Sequence, residues 1–309
     1  KFIMKYEKEI KSMINGTCLI NEPMSKHTTY GIGGPVSFYI KPKNKEDLKN
    51  ILLFTEKNSI PVYFVGTGSN LLVSDSGING IVVSLEKSLK KITFLSETMI
   101  YADGGAMLGK LVKLCISNNL TGLESLVGVP GTLGGALVMN AGAFGGEISK
   151  CLQSVDVINM DGTEHQYSSE DIHFQYRSSS FSKDEIIVGA TFILKKDDPI
   201  NIKMKRQKAS QGRKSSQPLR VRSAGSVFKN PENTAAGYLI DQSGLKGTVK
   251  GGAEISSIHA NFFVNNGNAT SDDLVSLIRL TREKVLKIFG IHLELEIKTL
   301  GFPEGTFGA

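Results

Sequence analysis

Apolar residues at Leu48, Ile51, Leu52 and Phe54 recur at three- and four-residue steps and predict a helix over 45–58. A strand at 36–40 precedes it, and Pro61 opens a short apolar strand at 62–65, which gives a βαβ-like start. The residues before these, to about Glu22, read as a helix and a loop. Short apolar runs at 71–73 and 81–85, around the turn Ser76-Gly77, predict strands, and so does the alternation at 92–95 and 99–102. Residues 107–116 form an amphipathic helical pattern that Asn118-Asn119 would end. Alternation returns at 155–159 and 164–167 on either side of Met160-Asp161-Gly162-Thr163, and Asp-Gly between alternating runs is a hairpin signal. A strand at 186–194 leads to a charged, proline-ended break at 195–199, where a domain boundary is placed. Beyond it lie a basic helix at 200–214, a short helix at 235–242 and a strand at 261–265. A longer helix opens at Ser271 as its cap, with Asp272 and Asp273 on its positive end and Gly290 as its stop. A strand at 293–298 closes the pattern. No internal repeat and no low-complexity segment interrupts it.

With 309 residues the chain can bury a sizeable core and fill two domains. Net charge of +6 suits an anionic substrate or cofactor. A nucleic-acid reader would need a dense basic patch interleaved with aromatics, and the one basic run, 203–214, reads as a solvated helix face, so no nucleic-acid partner is expected. Cys18, Cys115 and Cys151 show neither metal-ligand spacing nor a disulfide framework. No metal is expected, a reducing compartment follows, and Cys115, inside an apolar helical run, belongs to the core. No apolar run is long enough to span a bilayer and no signal peptide opens the chain, so a cytoplasmic protein without membrane attachment is expected. Residues 1–3 precede Met4 and read as a cloning remnant.

The glycines change the picture because they cluster. Gly66-Thr67-Gly68-Ser69-Asn70 follows a strand directly, and Leu71 begins the next. It lacks the third glycine of a dinucleotide fingerprint and the Gly-Lys-Ser/Thr of a Walker loop. What it offers is backbone N–H groups that can converge on an anion, with Ser and Thr hydroxyls beside them, and an ordinary turn explains it equally well. The second cluster, Gly128-Val129-Pro130-Gly131-Thr132-Leu133-Gly134-Gly135-Ala136, can start a helix whose N–H groups face a pyrophosphate. Two such loops suggest a large cofactor carrying a diphosphate; the alternative is tight packing of a strand-rich domain. A further stretch, Gly225-Ser226-Val227-Phe228-Lys229-Asn230-Pro231, places a hydroxyl, a cation and an amide around two apolar anchors. Its plain reading is a short strand ending in a turn; its chemical reading is a pocket wall with a proton donor.

These segments occur in order with Asn140-Ala141-Gly142-Ala143-Phe144-Gly145-Gly146-Glu147, Tyr176-Arg177-Ser178 and Leu293-Glu294-Leu295-Glu296. Together they resemble the UDP-N-acetylenolpyruvoylglucosamine reductase (MurB) family of peptidoglycan synthesis, over nearly the whole chain. The first loop is shared with the wider vanillyl-alcohol-oxidase-like FAD-binding fold. The resemblance implies an α+β protein: a two-subdomain PCMH-type FAD-binding fold plus a C-terminal α+β substrate-binding domain. The FAD domain would take 1–199, with its core at about 30–196 and its subdomains split near residue 86, and the C-terminal domain would take 200–309. The missing tyrosine-bearing closing loop marks the family's short form, and a monomer is expected.

The implied reaction has two halves at one flavin. NADPH gives hydride to FAD, and hydride then reaches the enolpyruvyl double bond of UDP-N-acetylglucosamine enolpyruvate. Ser226 matches the family's proton donor, Arg177 its active-site arginine and Glu296 its C-terminal glutamate. Alternation puts Glu294 and Glu296 on one face and does not tell them apart; position relative to Gly301 selects Glu296. FAD would be held by Gly66, Thr67, Gly68, Ser69, Asn70, Leu71, Gly128, Pro130, Gly131, Thr132, Gly134, Gly135, Ala141 and Gly142. Substrate would meet Tyr176, Arg213, Lys229, Asn230 and His259, the last standing where the long form often has glutamine. The alternatives are another FAD-dependent oxidoreductase of this fold, acting on a small sugar or alcohol, and a non-enzymatic nucleotide-binding protein.

Overall fold

A computed structural model describes residues 2–86 and 88–308; Lys1, part of the expected remnant, and Ala309, the end of the expected second domain, lie outside them. Phe2 and Ile3 start the helix Phe2–Met13 and pack against a core cluster, Phe2 edge-on to Tyr6 at 5.2 Å.

The chain divides into two compact units. The first takes the described residues up to Ile20, then Ser37–Thr67 and Asn79–Arg213; the second takes Asn21–Val36, Gly68–Ile78 and the chain from Lys214 onward. This compact division differs from the break at 195–199. The helix Pro199–Ser216 stays with the first unit as far as Arg213 because Ile202 and Ala209 are buried. Lys205 adds ties to Asp197 at 2.9 Å and to the Thr121 hydroxyl at 2.9 Å. The other residues of the basic run are solvent-facing, as the sequence predicts, except half-buried Ser210, Gly212 and Arg213.

Two sheets build the first unit. One is five-stranded and antiparallel, in the order Glu164–Ser168, Leu152–Asn159, Glu185–Ile193, Met99–Asp103, Ile92–Phe94. The Asp161-Gly162 hairpin forms as expected, with Ile158 opposite Glu164. The other runs Thr17–Pro23, Pro35–Lys41, Ile78–Ser84, Val62–Val65, the last pair parallel. Leu48, Ile51, Leu52 and Phe54 of the helix Lys45–Lys57 bury their stripe, and Asn44 caps it by accepting from the Asp47 N–H. Leu108–Ser117 packs Leu111, Val112 and Cys115 into the cluster that contains Val155, Val157 and Phe192. Burial pushes the Cys115 thiol up to about 12.

In the second unit the antiparallel strands Val249–Lys250, Ala253–Ile255 and Phe263–Asn265 share a core with the helices Ala236–Gln242 and Ser271–Phe289. The long helix is capped one residue earlier than the sequence suggests. Thr270 accepts from the Asp273 N–H while the Asp273 carboxylate accepts from the Thr270 N–H, a reciprocal box. Ser271 instead exchanges bonds with Asp75, its N–H donating to the carboxylate at 2.6 Å. Gly290 ends the helix at a left-handed φ of 69°.

The expected strand at 293–298 does not form. The N–H groups of Glu296 and Ile297 both donate to the Val227 carbonyl, at 2.8 and 3.4 Å, so the ladder stalls there. A single bridge, Phe228 to Leu295, remains of it. Regular pairing resumes at Lys298–Leu300, which runs parallel to Leu71–Val73.

Candidate active site

Ser226 lies in the second unit on a segment fixed from both sides. Gly225 turns the chain at φ 75°, a region that an L side chain adopts only with strain. Val227 and Phe228 are fully buried behind the serine. The Val227 N–H donates to the Asn261 carbonyl at 2.8 Å, and the Asn261 side chain brackets Phe228, accepting from its N–H at 2.9 Å and donating to its carbonyl at 2.8 Å. On the other flank lies Glu296, joined through its N–H to Val227. The Glu296 carbonyl accepts from the Asn70 side chain at 3.1 Å. Thus Asn70, Ser226 and Glu296, read from three distant stretches, belong to one hydrogen-bonded frame.

The two glutamates that alternation leaves equivalent now differ. Glu294 has a side chain 74% exposed and pairs with Lys229 at 3.1 Å, whereas Glu296 is half-buried. Lys229 is therefore engaged at the surface. Asn230 accepts from the Ala236 N–H at 3.0 Å and so closes the start of the helix Ala236–Gln242. His259 accepts from the Asn261 N–H through Nδ1 at 3.2 Å, packs on Phe262 at 4.8 Å, and is held below its ordinary pKa by burial. A neutral ring with its proton on Nε2 follows.

In the first unit Tyr176 and Arg177 form the tip of a two-residue hairpin between Phe174–Gln175 and Ser178–Ser179. Arg177 has φ 56°, uncommon for a residue with a side chain. Its guanidinium lies 5.1 Å from the Tyr176 ring centre. The hairpin is tied down by Asn140, whose Nδ2 donates to the Gln175 carbonyl at 3.1 Å, and by Ser179, whose hydroxyl donates to the Val138 carbonyl at 2.8 Å. A Cβ on Gly142 would meet Glu147 at 3.0 Å and the Arg177 guanidinium at 3.4 Å, so that glycine makes room for both. Arg213 lies over Gly128 and 5.9 Å from the Phe144 ring. Burial first, and then the charge of Arg177, pull its pKa below the usual guanidinium range. Two neighbouring cations, one of them half-buried, make an electrostatic setting that an anion would relieve.

The glycine clusters meet at Gly66 and Thr132: a Cβ on Gly66 would come within 2.5 Å of the Thr132 hydroxyl. The helix Leu133–Val138 begins there, but its N-terminus is not the anion site the sequence suggests. The N–H groups of Leu133 and Gly134 donate to the carbonyls of Ala106 and Gly104, each at 2.8 Å, and that of Gly135 donates to Thr132 Oγ1 at 3.5 Å. These donors are used to pack the short helix. Gly131 accepts from the Leu108 N–H at 3.0 Å, and Ala141 joins Ala136 and Ile148 through its backbone. In the second unit Gly68 has φ 66°, and a Cβ there would run into the His27 carbonyl. Its own carbonyl accepts from the Thr29 N–H at 3.2 Å, and Leu71 is buried at the start of its strand.

A large polar cofactor fits these residues on one observation. Thr67 Oγ1, Ser125 Oγ and Asn140 Oδ1 are buried without a protein partner, all in the first unit and all in or beside the glycine segments. Groups of this kind cost about 1–3 kcal/mol each unless a ligand or water meets them. Ser125 and Asn140, with their partnerless atoms, and likewise Asn261, which brackets Phe228, are positions that the sequence reading did not single out. Asn140 stands at the head of a motif already quoted, which was the available signal; a lone serine and a lone asparagine gave none. Among the described residues no group of three His, Cys, Asp or Glu could hold a metal ion, and no helix is long and apolar enough to cross a membrane.

A family profile described as UDP-N-acetylenolpyruvoylglucosamine reductase, C-terminal domain, matches residues 217–300, and one described as FAD binding domain matches 36–168. The chain is 40% identical over 283 residues to the UDP-N-acetylenolpyruvoylglucosamine reductase of Syntrophomonas wolfei, covering 91% of this chain and 94% of that one. It is 41% identical over 294 residues to the protein of the same name from Desulforamulus reducens, with 95% and 97% covered. The crystal structure of UDP-N-acetylenolpyruvylglucosamine reductase (MurB) from Thermus caldophilus superposes with a TM-score of 0.77 at 33% identity, covering 93% of this chain and 99% of that one.

Proposed function

The chain belongs to the UDP-N-acetylenolpyruvoylglucosamine reductase family, and from that membership we propose that it reduces UDP-N-acetylglucosamine enolpyruvate to UDP-N-acetylmuramate for peptidoglycan precursor synthesis, with FAD as cofactor and NADPH as reductant. The observation that carries the reading to this chain's own chemistry is the frame in which Asn261, Glu296 and Asn70 fix the backbone around Ser226. The profile matches support giving the cofactor to 1–199 and the sugar nucleotide to 200–309.

When bound, FAD supplies the hydride that NADPH provides and the enolpyruvyl carbon accepts. Thr67, Ser125 and Asn140 would meet its polar atoms, and Gly66, Gly68, Gly128 and Gly142 let Thr132, His27, Arg213, and Glu147 with Arg177, close in around their own backbones. Pro130, Gly131, Thr132, Gly134, Gly135 and Ala141 support that surface through their backbone rather than through a helix end; Ser69, Asn70 and Leu71 are the second unit's own candidates for the cofactor.

Hydride addition leaves negative charge on the carbon that carries the substrate carboxylate. Arg177 presents two parallel donors to such a carboxylate and opposes the charge as it develops. Tyr176 braces that guanidinium, and Arg213 adds a second cation for the diphosphate. Ser226 holds the proton for the carbanionic carbon. A hydroxyl is a weak acid, and transfer is driven by the strong base it meets. Glu296 orients the serine and stabilises polarity around it. Asn230 retains its amide N–H groups for the substrate, Lys229 contributes from the rim, and His259 acts as a neutral support.

The test is the visible spectrum of the purified protein. A flavin band that NADPH bleaches and the UDP-enolpyruvyl sugar restores is expected. A bleached flavin that the sugar leaves reduced would point to another substrate class, and a colourless protein that refuses FAD would end the reading.

A further inference from the structure

Asn140 carries more than the hairpin it ties down. Its side chain is 2% exposed and its backbone sits at φ 40°. The Gln175 carbonyl can only accept, so the amide group facing it at 3.1 Å must be the Nδ2 donor. That contact fixes the flip of the amide and leaves Oδ1 as a buried acceptor without a protein partner. An asparagine in the left-handed region is tolerated but uncommon, and here both the backbone and the amide orientation are spent on aiming one oxygen.

The ligand such an oxygen wants is a donor, which excludes a phosphate or carboxylate oxygen. Its place narrows the choice. The same side chain braces the hairpin that carries Arg177, and Gly142, two residues on, lies against the Arg177 guanidinium. Arg177 serves the reacting end of the substrate, so the cofactor's reacting end is the part to consider. The oxidised isoalloxazine ring has one N–H, its imide.

Resting on the functional reading above, we propose that Asn140 Oδ1 accepts from the imide N–H of the bound isoalloxazine. One amide then joins cofactor seating to the hairpin that positions Arg177: its oxygen is on the flavin and its nitrogen on Gln175.

The experiment compares FAD with 3-methyl-FAD, in which the imide hydrogen is replaced, by quenching of flavin fluorescence on titration into flavin-free protein. Wild type should bind 3-methyl-FAD about tenfold or more weakly, the effect of leaving one buried partner unmet. Asn140→Gly keeps the backbone conformation, deletes the amide, and should bind FAD weakly while losing most of the discrimination between the two flavins. Asn140→Asp keeps an acceptor and should keep the discrimination. Wild type that binds both flavins equally overturns the proposal whether or not the variants fold, and so does a folded Asn140→Gly that discriminates as wild type does. Failure of wild type to bind FAD at all would instead fall on the functional reading itself.

Discussion

Ser226 is set apart from the other serines by what holds the backbone on either side of it. Asn261 bonds to both Val227 and Phe228, and Glu296 closes the opposite flank. Ser226→Ala should leave bleaching of the flavin by NADPH intact and slow its recovery by the UDP-enolpyruvyl sugar by about 10²-fold or more. Rapid-mixing absorbance of the two half-reactions separates the steps, and equal slowing of both would remove the serine from proton transfer. Arg177→Lys should lose activity while retaining flavin, because an ammonium cannot fork two donors onto a carboxylate. Full turnover in that variant would argue against a paired contact. His259 offers a pH test. Its pKa is lowered in the folded chain, chiefly by burial, so below about 6.5 the unfolded chain binds the extra proton more readily. Stability contributed by this residue is therefore present above that pH and is lost as pH falls toward the folded-state value. Urea midpoints at pH 7.5 and 5.5 should differ more in wild type than in His259→Gln.

At the scale of elements, the long helix Ser271–Phe289 shows what a sequence pattern can and cannot locate. Its buried stripe and its glycine stop are legible because they follow from period and from backbone freedom. Its cap shifts to Thr270 because Ser271 is drawn to Asp75, a partner 196 residues away that no local pattern reports. Thr270→Ala should cost roughly 1 kcal/mol of stability, measurable as a lower denaturation midpoint. The segment 293–298 fails as a strand for the same kind of reason. Alternation is present in its burial, but two successive N–H groups converge on one carbonyl from Val227, and alternation is blind to that. The helix at 133–138 carries the sharpest lesson for glycine motifs. Gly134 packs closely on the Gly104 carbonyl, and the helix's N–H groups are taken by Ala106, Gly104 and Thr132.

Across the whole molecule, the α+β architecture and the cofactor were legible through a family resemblance that rests on local motifs. The membership of the compact units was not. Residues 21–36 and 68–78 belong with the C-terminal unit, through pairings that join residues more than two hundred positions apart. Polar groups such as Asn261 and Asn140 were silent for a related reason: a single amide has no periodicity, and its worth lies in what surrounds it. If the partnerless polar atoms of the first unit are met by FAD, the cofactor should stabilise the fold by mass action. At a free concentration one hundred times its dissociation constant the gain is about 2.7 kcal/mol. A thermal midpoint that rises with added FAD, and does not rise with adenosine alone, is the expected result.

The parallel pairing of Lys298–Leu300 with Leu71–Val73 bears on how the protein is made. The strand Leu71–Val73 has its only ladder partner, among the described residues, more than two hundred positions later in the order of synthesis. The second half of the first glycine loop, Gly68 to Asn70, leads directly into that strand, and Asn70 reaches Glu296 as well. Gly68 already has Thr29 as a partner, but Asn70 lacks its contact until residue 296 has been made. Flavin capture becomes a late event, and nascent chains arrested before residue 298 should emerge colourless even when supplied with FAD.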